Sequence, residues 1–455
     1  MPPADPAPAA PAAAARSGLR DFLLLWSGQV VSLVGSGLTA FALGVWVYRE
    51  TGNVTLFSLI ATSAALPAVL LSPIAGVLVD RFDRRWMLVL SDAGAALATL
   101  GLLVLFATER LELWHIYLLV GLNAAFTTLQ FPAFGSSITL LIPKQHFGRA
   151  SGMMQFGFSG AQVLAPLVAG ALIVRIPLPA ILALDLATFA VAVVLLLFVR
   201  IPRPPRRTDE RPGLWSEAAY GWRYIRQRPG LVSLLLYFAM LNLVIPMATV
   251  LTTPLVLSFA TAAHLGLVLS LGSAGLVAGS VAMTAWGGPR RRMLGILGFA
   301  PVASLGMLLA GLRPAVATVA AGLFVVYAVL PLINGSSQAI WQSKVEPGVQ
   351  GRVFATRRMV AQMTGPLAYF LAGPLAERVF VPLLAPGGAL AATWVGRLVG
   401  VGEGRGIGLL VMTLGVLFAA VTLSAAAYPR LRGLEETVPD AVPDEPPVEA
   451  AAPGG

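Results

Sequence analysis

The chain has no cysteine, so neither a disulfide framework nor a thiolate metal site can be built. Histidine is nearly absent as well: His115, His146 and His264 stand far apart, with no metal-ligand spacing. The one glycine-dense string, Gly400-Val401-Gly402-Glu403-Gly404, follows no strand and lacks the Lys-Ser/Thr ending that holds a nucleotide phosphate. No other Walker-type loop and no catalytic constellation is visible. The sequence therefore reads as a protein that is not an enzyme, uses no cofactor or metal and does not hydrolyse ATP. Charge is scarce: 11% of residues are Asp, Glu, Lys or Arg, against about 25% in a soluble domain. Met1 to Ala15 is Pro/Ala-rich and lacks the basic-then-apolar layout and cleavage site of a secretory signal. The first helix is thus expected to remain as an anchor.

What is abundant is apolar. Hydrophobic residues make up 57% of the chain and the mean hydropathy is +0.81. The stretch from Arg20 to Arg430, about 410 residues, has room for a dozen spans of about 20 residues with short loops. Apolar runs place helices at 22–48, 55–79, 86–107, 113–139, 148–173 and 177–198, then at 231–258, 262–286, 293–312, 314–341, 353–376 and 405–428. The expected fold is an all-α membrane protein with twelve transmembrane helices in two six-helix halves. The expected organisation is a disordered segment 1–20, an N-terminal half 21–198, a cytoplasmic linker 199–230, a C-terminal half 231–428 and a disordered, solvated acidic tail 429–455. Within the linker, Leu214–Arg226 carries Leu214, Ala218, Tyr220, Trp222 and Tyr224 among charges; it reads as a helix lying on the membrane surface or as a plain linker. Between helices 11 and 12, Glu377 to Gly404 is long and rich in small residues, and could lie in the outer interface or partly cover the cavity.

The net charge of +10 does not indicate nucleic acid, because the basic residues are divided among loops that separate apolar runs. With the N-terminus placed inside, 24 of the 31 Lys and Arg residues fall in inner segments and 7 in outer ones. The positive-inside rule then puts both termini in the cytoplasm of a multi-pass protein in the cell membrane. The halves also repeat. Arg84-Arg85-Trp86-Met87-Leu88 matches Arg290-Arg291-Arg292-Met293-Leu294 at an offset of 206. Gly135-Ser136-Ser137, Pro143 and Gly148-Arg149 match Gly335-Ser336-Ser337, Pro347 and Gly351-Arg352 at offsets of 200 to 204. Both pair helix n with helix n+6, and a six-plus-six duplication places substrate near the midplane between the halves.

One loop is more specific. Gly76-Val77-Leu78-Val79-Asp80-Arg81-Phe82-Asp83-Arg84-Arg85 joins two membrane-length runs. It resembles the G-x-x-x-D-R-x-x-R-R signature between helices 2 and 3 of the major facilitator superfamily. The resemblance implies a secondary transporter in which Gly76, Asp80, Arg81, Arg84 and Arg85 latch the outward-facing state by contacts between the halves. Gly76 would let another helix approach closely, and Asp80 could pair with Arg81 or Arg84 or favour a helix N-terminus. Asp83 stands where the superfamily has glycine, a substitution that suits a turn chemically. A plainer reading is that these arginines only fix topology. The corresponding loop, Gly287-Gly288-Pro289-Arg290, has no acid, so the latch would be one-sided.

Asp185 is the only carboxylate well inside an expected span, where a charge costs about 2.5–3.5 kcal/mol on insertion scales. A group there that can take up and release a proton would suit proton coupling; a structural cap near the helix end is the alternative. Asp92 is the second candidate, and could instead touch the arginine loop. Gln29, Asn123, Gln130, Gln155, Asn242, Asn334, Gln338 and Gln362 are candidates to line a substrate cavity; singly, each could equally glue helices together.

Leu25-Trp26-Ser27-Gly28-Gln29 and Ser32-Leu33-Val34-Gly35, with the arginine loop and Leu141-Ile142-Pro143, are similar to the macrolide-efflux and enterobactin-exporter branch of the superfamily. That resemblance covers about Leu19 to Pro429. It implies a monomeric, proton-coupled exporter of a drug, siderophore or other amphipathic secondary metabolite, whose partners are the small-molecule substrate, protons and the lipid bilayer. An importer on the same fold and a non-transporting receptor or scaffold remain as alternatives.

Overall fold

A computed structural model describes residues 10–142, 147–199, 201, 214–346 and 349–441, with the side chains of 10–17, 80, 139, 148, 151 and 214–219 outside that description. Pro143 and Pro347 of the repeat therefore lie outside the described residues. The N-terminal half comprises α1 (Ala10–Thr51), α2 (Val54–Arg81), α3 (Arg84–Ala107), α4 (Leu113–Thr127), α5 (Gln130–Leu141), α6 (Phe147–Leu172) and α7 (Leu178–Phe198). A linker helix, α8 (Leu214–Arg226), leads to α9 (Pro229–Leu257), α10 (Ala262–Trp286), α11 (Arg292–Leu312), α12 (Val316–Lys344) and α13 (Gln350–Leu375). Short helices α14 (Val381–Leu383) and α15 (Trp394–Val399) precede the last long helix, α16 (Arg405–Ala427).

Eleven spans among the described residues are long and apolar enough to cross a membrane, with α4 and α5 counted as one. The twelfth, α13, is 26 residues long but carries Arg352, Arg357 and Arg358 in its first turns, which lowers its hydropathy. The span of α4 and α5 is broken because Pro132 has no N–H to give to the Thr128 carbonyl, so the ladder lapses there. The Thr128 hydroxyl turns back to the Ala124 carbonyl at 2.6 Å instead.

The even number of spans brings the start of α1 and the end of α16 to one face, which also carries Arg81–Arg85 and Arg290–Arg292; we call it the arginine-rich end. The halves meet at the opposite end. Gly170 of α6 and Gly266 of α10 touch so closely that a methyl on Gly266 would overlap the Pro166 carbonyl, and Ser270 donates to the Val163 carbonyl at 2.7 Å. Gly373 of α13 lies against Thr55 of α2. Small residues allow this approach where lipid offers no hydrophobic drive between helices. Toward the arginine-rich end the halves part. Along α2 and α13, Leu66, Leu70 and Ile74 and Met359, Met363 and Leu367 are exposed. A methyl on Gly76, Gly160 or Gly365 would meet nothing within 4 Å. The cleft therefore opens at the arginine-rich end.

Two expectations change. The leading segment is helical from Ala10, continuous with the first span. The tail from Pro429, expected to be disordered and solvated, is docked as far as Ala441: α17 (Pro429–Arg432) and α18 (Leu434–Thr437) follow α16. Glu435 accepts from the backbone N–H of Arg292 and Met293 at 3.0 and 2.8 Å, and the buried Lys344 donates to the Glu435 and Val438 carbonyls and pairs with Asp440 at 3.1 Å. A carboxylate is favoured at the α11 N-terminus because the first-turn amides have no partner inside the helix, and Leu434 is fully buried beside it. The stretch after α13 packs on α11 and α16 and, through Glu377, on the start of α2. Its anchor is Arg405, 4% exposed, which donates to the carbonyls of Val399, Gly311 and Leu312 at 2.7, 2.9 and 3.1 Å and so caps the C-terminus of α11. Linker helix α8 occupies the stretch expected from sequence; Tyr224 and Ile225 are buried against the C-terminal half, while Tyr220 and Trp222 are exposed.

Candidate functional site

Asp185 sits in the middle third of α7, 1% exposed. Hydroxyls from three helices converge on its carboxylate: Thr39 of α1 at 2.8 Å, Thr99 of α3 at 3.4 Å, and Ser36 of α1 and Thr188 of α7 at 3.5 Å. The approach of α1 depends on Gly35, where a side chain would collide with Thr188. Among the described residues no cation pairs with Asp185. Hydroxyls can donate to a carboxylate or accept from a carboxylic acid, so this ring can hold either state of the group. Asp185 also forms part of the wall of a cavity of about 520 Å³, with Ser36, Thr39, Thr99, Asn123 and Phe57. The structural-cap alternative has no support in the position, since Asp185 is two turns from the start of α7.

Asp92 does not reach the arginine loop. It lies eight residues into α3, about 12 Å along the axis at 1.5 Å per residue, and is 0% exposed. Gln29 of α1 donates to it at 2.9 Å, Gln130 of α5 at 3.2 Å, and Gln130 also donates to the Gln29 carbonyl oxygen at 2.7 Å. Two of the expected cavity amides are thus tied to an expected coupling acid in a closed network joining three helices. Asn123 borders the cavity beside Asp185 and donates to the Ala95 carbonyl at 3.3 Å.

Asn242, Asn334 and Gln338, from α9 and α12, come together around a second cavity of about 310 Å³ in the C-terminal half, with Trp341, Arg357 and Arg358. Gln155 is exposed and reaches only Ser159 on its own helix, at 3.4 Å. Gln362 borders neither cavity. Sequence pattern misses Arg357, because so near the end of a span it reads as an inner-loop charge. Its place inside the expected span 353–376 was the signal.

In the arginine loop, Asp80 lies in the last turn of α2, and its side chain lies outside the described residues. Asp83 caps α3, accepting from the Arg85 N–H at 3.0 Å with φ of −64°, so this turn has no need of the superfamily's glycine. Arg85 caps α7 of the same half, donating to the Leu196 and Leu197 carbonyls at 3.0 and 2.6 Å. Arg81 is exposed, and Arg84 Nε and Nη1 are buried with no hydrogen-bond partner among the described residues. Gly76, expected at a close helix contact, faces open space because the halves are parted at this end.

Among the described residues no group of three His, Cys, Asp or Glu could hold a metal ion. The family model of the Major Facilitator Superfamily matches residues 25–369. Macrolide efflux protein A of Streptococcus pyogenes is 26% identical over 370 residues, 79% of this chain and 90% of that protein. The multidrug efflux pump Tap of Mycobacterium tuberculosis is 25% identical over 373 residues, 78% and 87% of the two chains. Among solved structures, a bacterial homologue of the human lysosomal transporter Spinster, inward-facing and unoccupied, has a TM-score of 0.66 at 15% identity, covering 91% of this chain and 96% of that one. The nucleoside transporter NupG has a TM-score of 0.65 at 13% identity, covering 90% and 99%.

Proposed function

Since the chain belongs to the Major Facilitator Superfamily, whose members here are transporters and not enzymes, we propose that it is a proton-driven exporter of an amphipathic drug or secondary metabolite. The observation that carries this reading is Asp185: a carboxyl 1% exposed, ringed by hydroxyls, without a cation, in the wall of a cavity. Two relatives of matching length that bear efflux names support the direction. The arginine-rich end is the cytoplasmic one, with both termini there, by the excess of basic residues. The present conformation is then inward-open. Substrate enters the cleft from the cytoplasm, and the halves, 21–198 and 231–428, rock about the linker 199–230 to release it outside. Proton entry from outside to Asp185, followed by loss to the cytoplasm, drives the cycle; each unit of pH gradient supplies about 1.4 kcal/mol per proton. Asp80, Arg81 and Arg84 act as the latch in the state where the arginine-rich end closes, and the protein works as a monomer.

The test uses inverted membrane vesicles with an imposed pH gradient and a panel of fluorescent dyes, macrolides and catecholate siderophores. Gradient-driven accumulation that collapses with a protonophore is expected, and an Asp185→Asn variant should lose it while retaining substrate exchange. Full gradient-driven accumulation by that variant would remove Asp185 from coupling. Uptake only in right-side-out vesicles would overturn export.

A further inference from the structure

Of the two arginines that border the C-terminal cavity, Arg357 is the one whose hydrogen bonds fix it there, and no carboxylate among the described residues neutralises it. Arg357 lies seven residues into α13, about 10 Å from its arginine-rich end at 1.5 Å per residue. Its Nη1 donates to Gln338 Oε1 at 2.9 Å, and its Nη2 lies 3.5 Å from the Ser337 hydroxyl. Its guanidinium carbon stands 5.3 Å from the centre of the Trp341 ring. No carboxylate pairs with it among the described residues, and the residues bordering the cavity include no acid. A charge inside a membrane helix is costly and marks a functional site by default. Gln338 and Ser337 hold one edge of the planar fork, which fixes its direction and leaves other N–H donors facing the cavity. Asn334 on the same wall is exposed although it lies ten residues, about 15 Å, from the end of α12. It adds an amide with no partner of its own among the described residues. A fixed fork of donors near the Asn334 amide and a tryptophan face suits a carboxylate or phosphate carried on an apolar frame.

We propose that this cavity is a subsite for an acidic group of the transported molecule, with Arg357 as its counter-charge. The proposal rests on the transport reading, because only a molecule that enters the cleft reaches the site. It narrows the substrate class to amphipathic molecules bearing an acidic oxygen group, with the apolar frame against Phe238, Trp341 and Phe354. The same chemistry could come from the headgroup of an anionic lipid entering the open cleft.

The experiment measures binding of a rhodamine free acid and of its methyl ester to the purified full-length protein, by fluorescence polarisation. Wild type should bind the acid about tenfold more tightly than the ester, as a charge-assisted bidentate contact implies. Arg357→Gln should bring that ratio to about one. Arg357→Lys, which keeps the charge but not the fork, should retain part of the preference. An unchanged ratio in Arg357→Gln, or no acid preference in wild type, overturns the proposal. If Arg357→Gln does not fold, the Arg357→Lys ratio decides: equality with wild type overturns the forked contact. Repeating the measurement in nanodiscs distinguishes the sources. A preference that persists in phosphatidylglycerol assigns the site to substrate, whereas its loss there but not in phosphatidylcholine assigns the same anion site to lipid. Protonophore-sensitive export of the ester reads the transport proposal separately, since the ester does not use Arg357.

Discussion

Replacing Glu377 by alanine should loosen the closed end of the transporter. Glu377 lies in a wide, π-type turn, Ala376–Phe380, that continues α13. Its carboxylate reaches the other half, accepting from the Val54 N–H and the Thr55 hydroxyl at the start of α2. Val54 N–H is one of the first-turn donors that a helix cannot satisfy itself, and a negative charge there is favoured by the helix dipole. A hydrogen bond to a charged acceptor contributes about 1.5–3 kcal/mol. Glu377 is only half-buried, so water competes, and about 1–2 kcal/mol for the whole contact is a fairer figure. At 1.4 kcal/mol per decade, losing it shifts the balance between closed and open about 5–30-fold. A wild-type open fraction of about 1% would rise to roughly 5–25%. The absence of cysteine makes the assay clean: spin labels at E50C and R378C, both exposed at that end, report the distance across the closure by pulsed electron resonance. Matching distance distributions with and without E377A, at equal thermal stability, would refute the reasoning. Gly373→Ala should move the same distribution by a different route, because its methyl overlaps Thr55.

Three further outcomes follow from the N-terminal half. Asp92→Ala removes the acceptor of Gln29 and one of the two acceptors of Gln130, which keeps the Gln29 carbonyl oxygen; the buried Gln29 donor left without a partner should cost about 1–3 kcal/mol, read as a lower melting temperature in detergent. Asp92→Asn keeps the shape and one acceptor and should cost less, so equal melting temperatures for both variants and wild type would contradict the network. Arg85→Gln frees the α7 carbonyls and should lower stability by about 1 kcal/mol, whereas Asp80→Asn should slow transport with expression and melting temperature intact. Wild-type transport by Asp80→Asn would leave the loop with a topological role alone.

Much of the fold was legible because each span is a local pattern. Apolar runs of bilayer length, separated by charged loops, located the helices to within a few residues, and Leu214–Arg226 stood out by its mixed face. The docked tail was not legible, since Glu435 reads as a solvated acid until the α11 N-terminus 143 residues away is placed beside it. Arg357 was misassigned for a related reason: near the end of a span, sequence alone does not distinguish a charge in a loop from one turned into a cavity.

The site divides the same way. Asp185 and Asp92 stand out in the sequence because a carboxylate inside an apolar run is costly wherever its helix points. Which groups each one meets depends on how the helices pack. Asp185 faces hydroxyls that lie 146 and 86 residues away, Asp92 closes a network with two glutamines, and Glu377 seals the halves across 323 residues. The periodicity of a helix fixes neither its rotation about its own axis nor its depth against its neighbours. Those two quantities, set by packing of small residues such as Gly35, Gly266 and Gly373, determine which side chains meet.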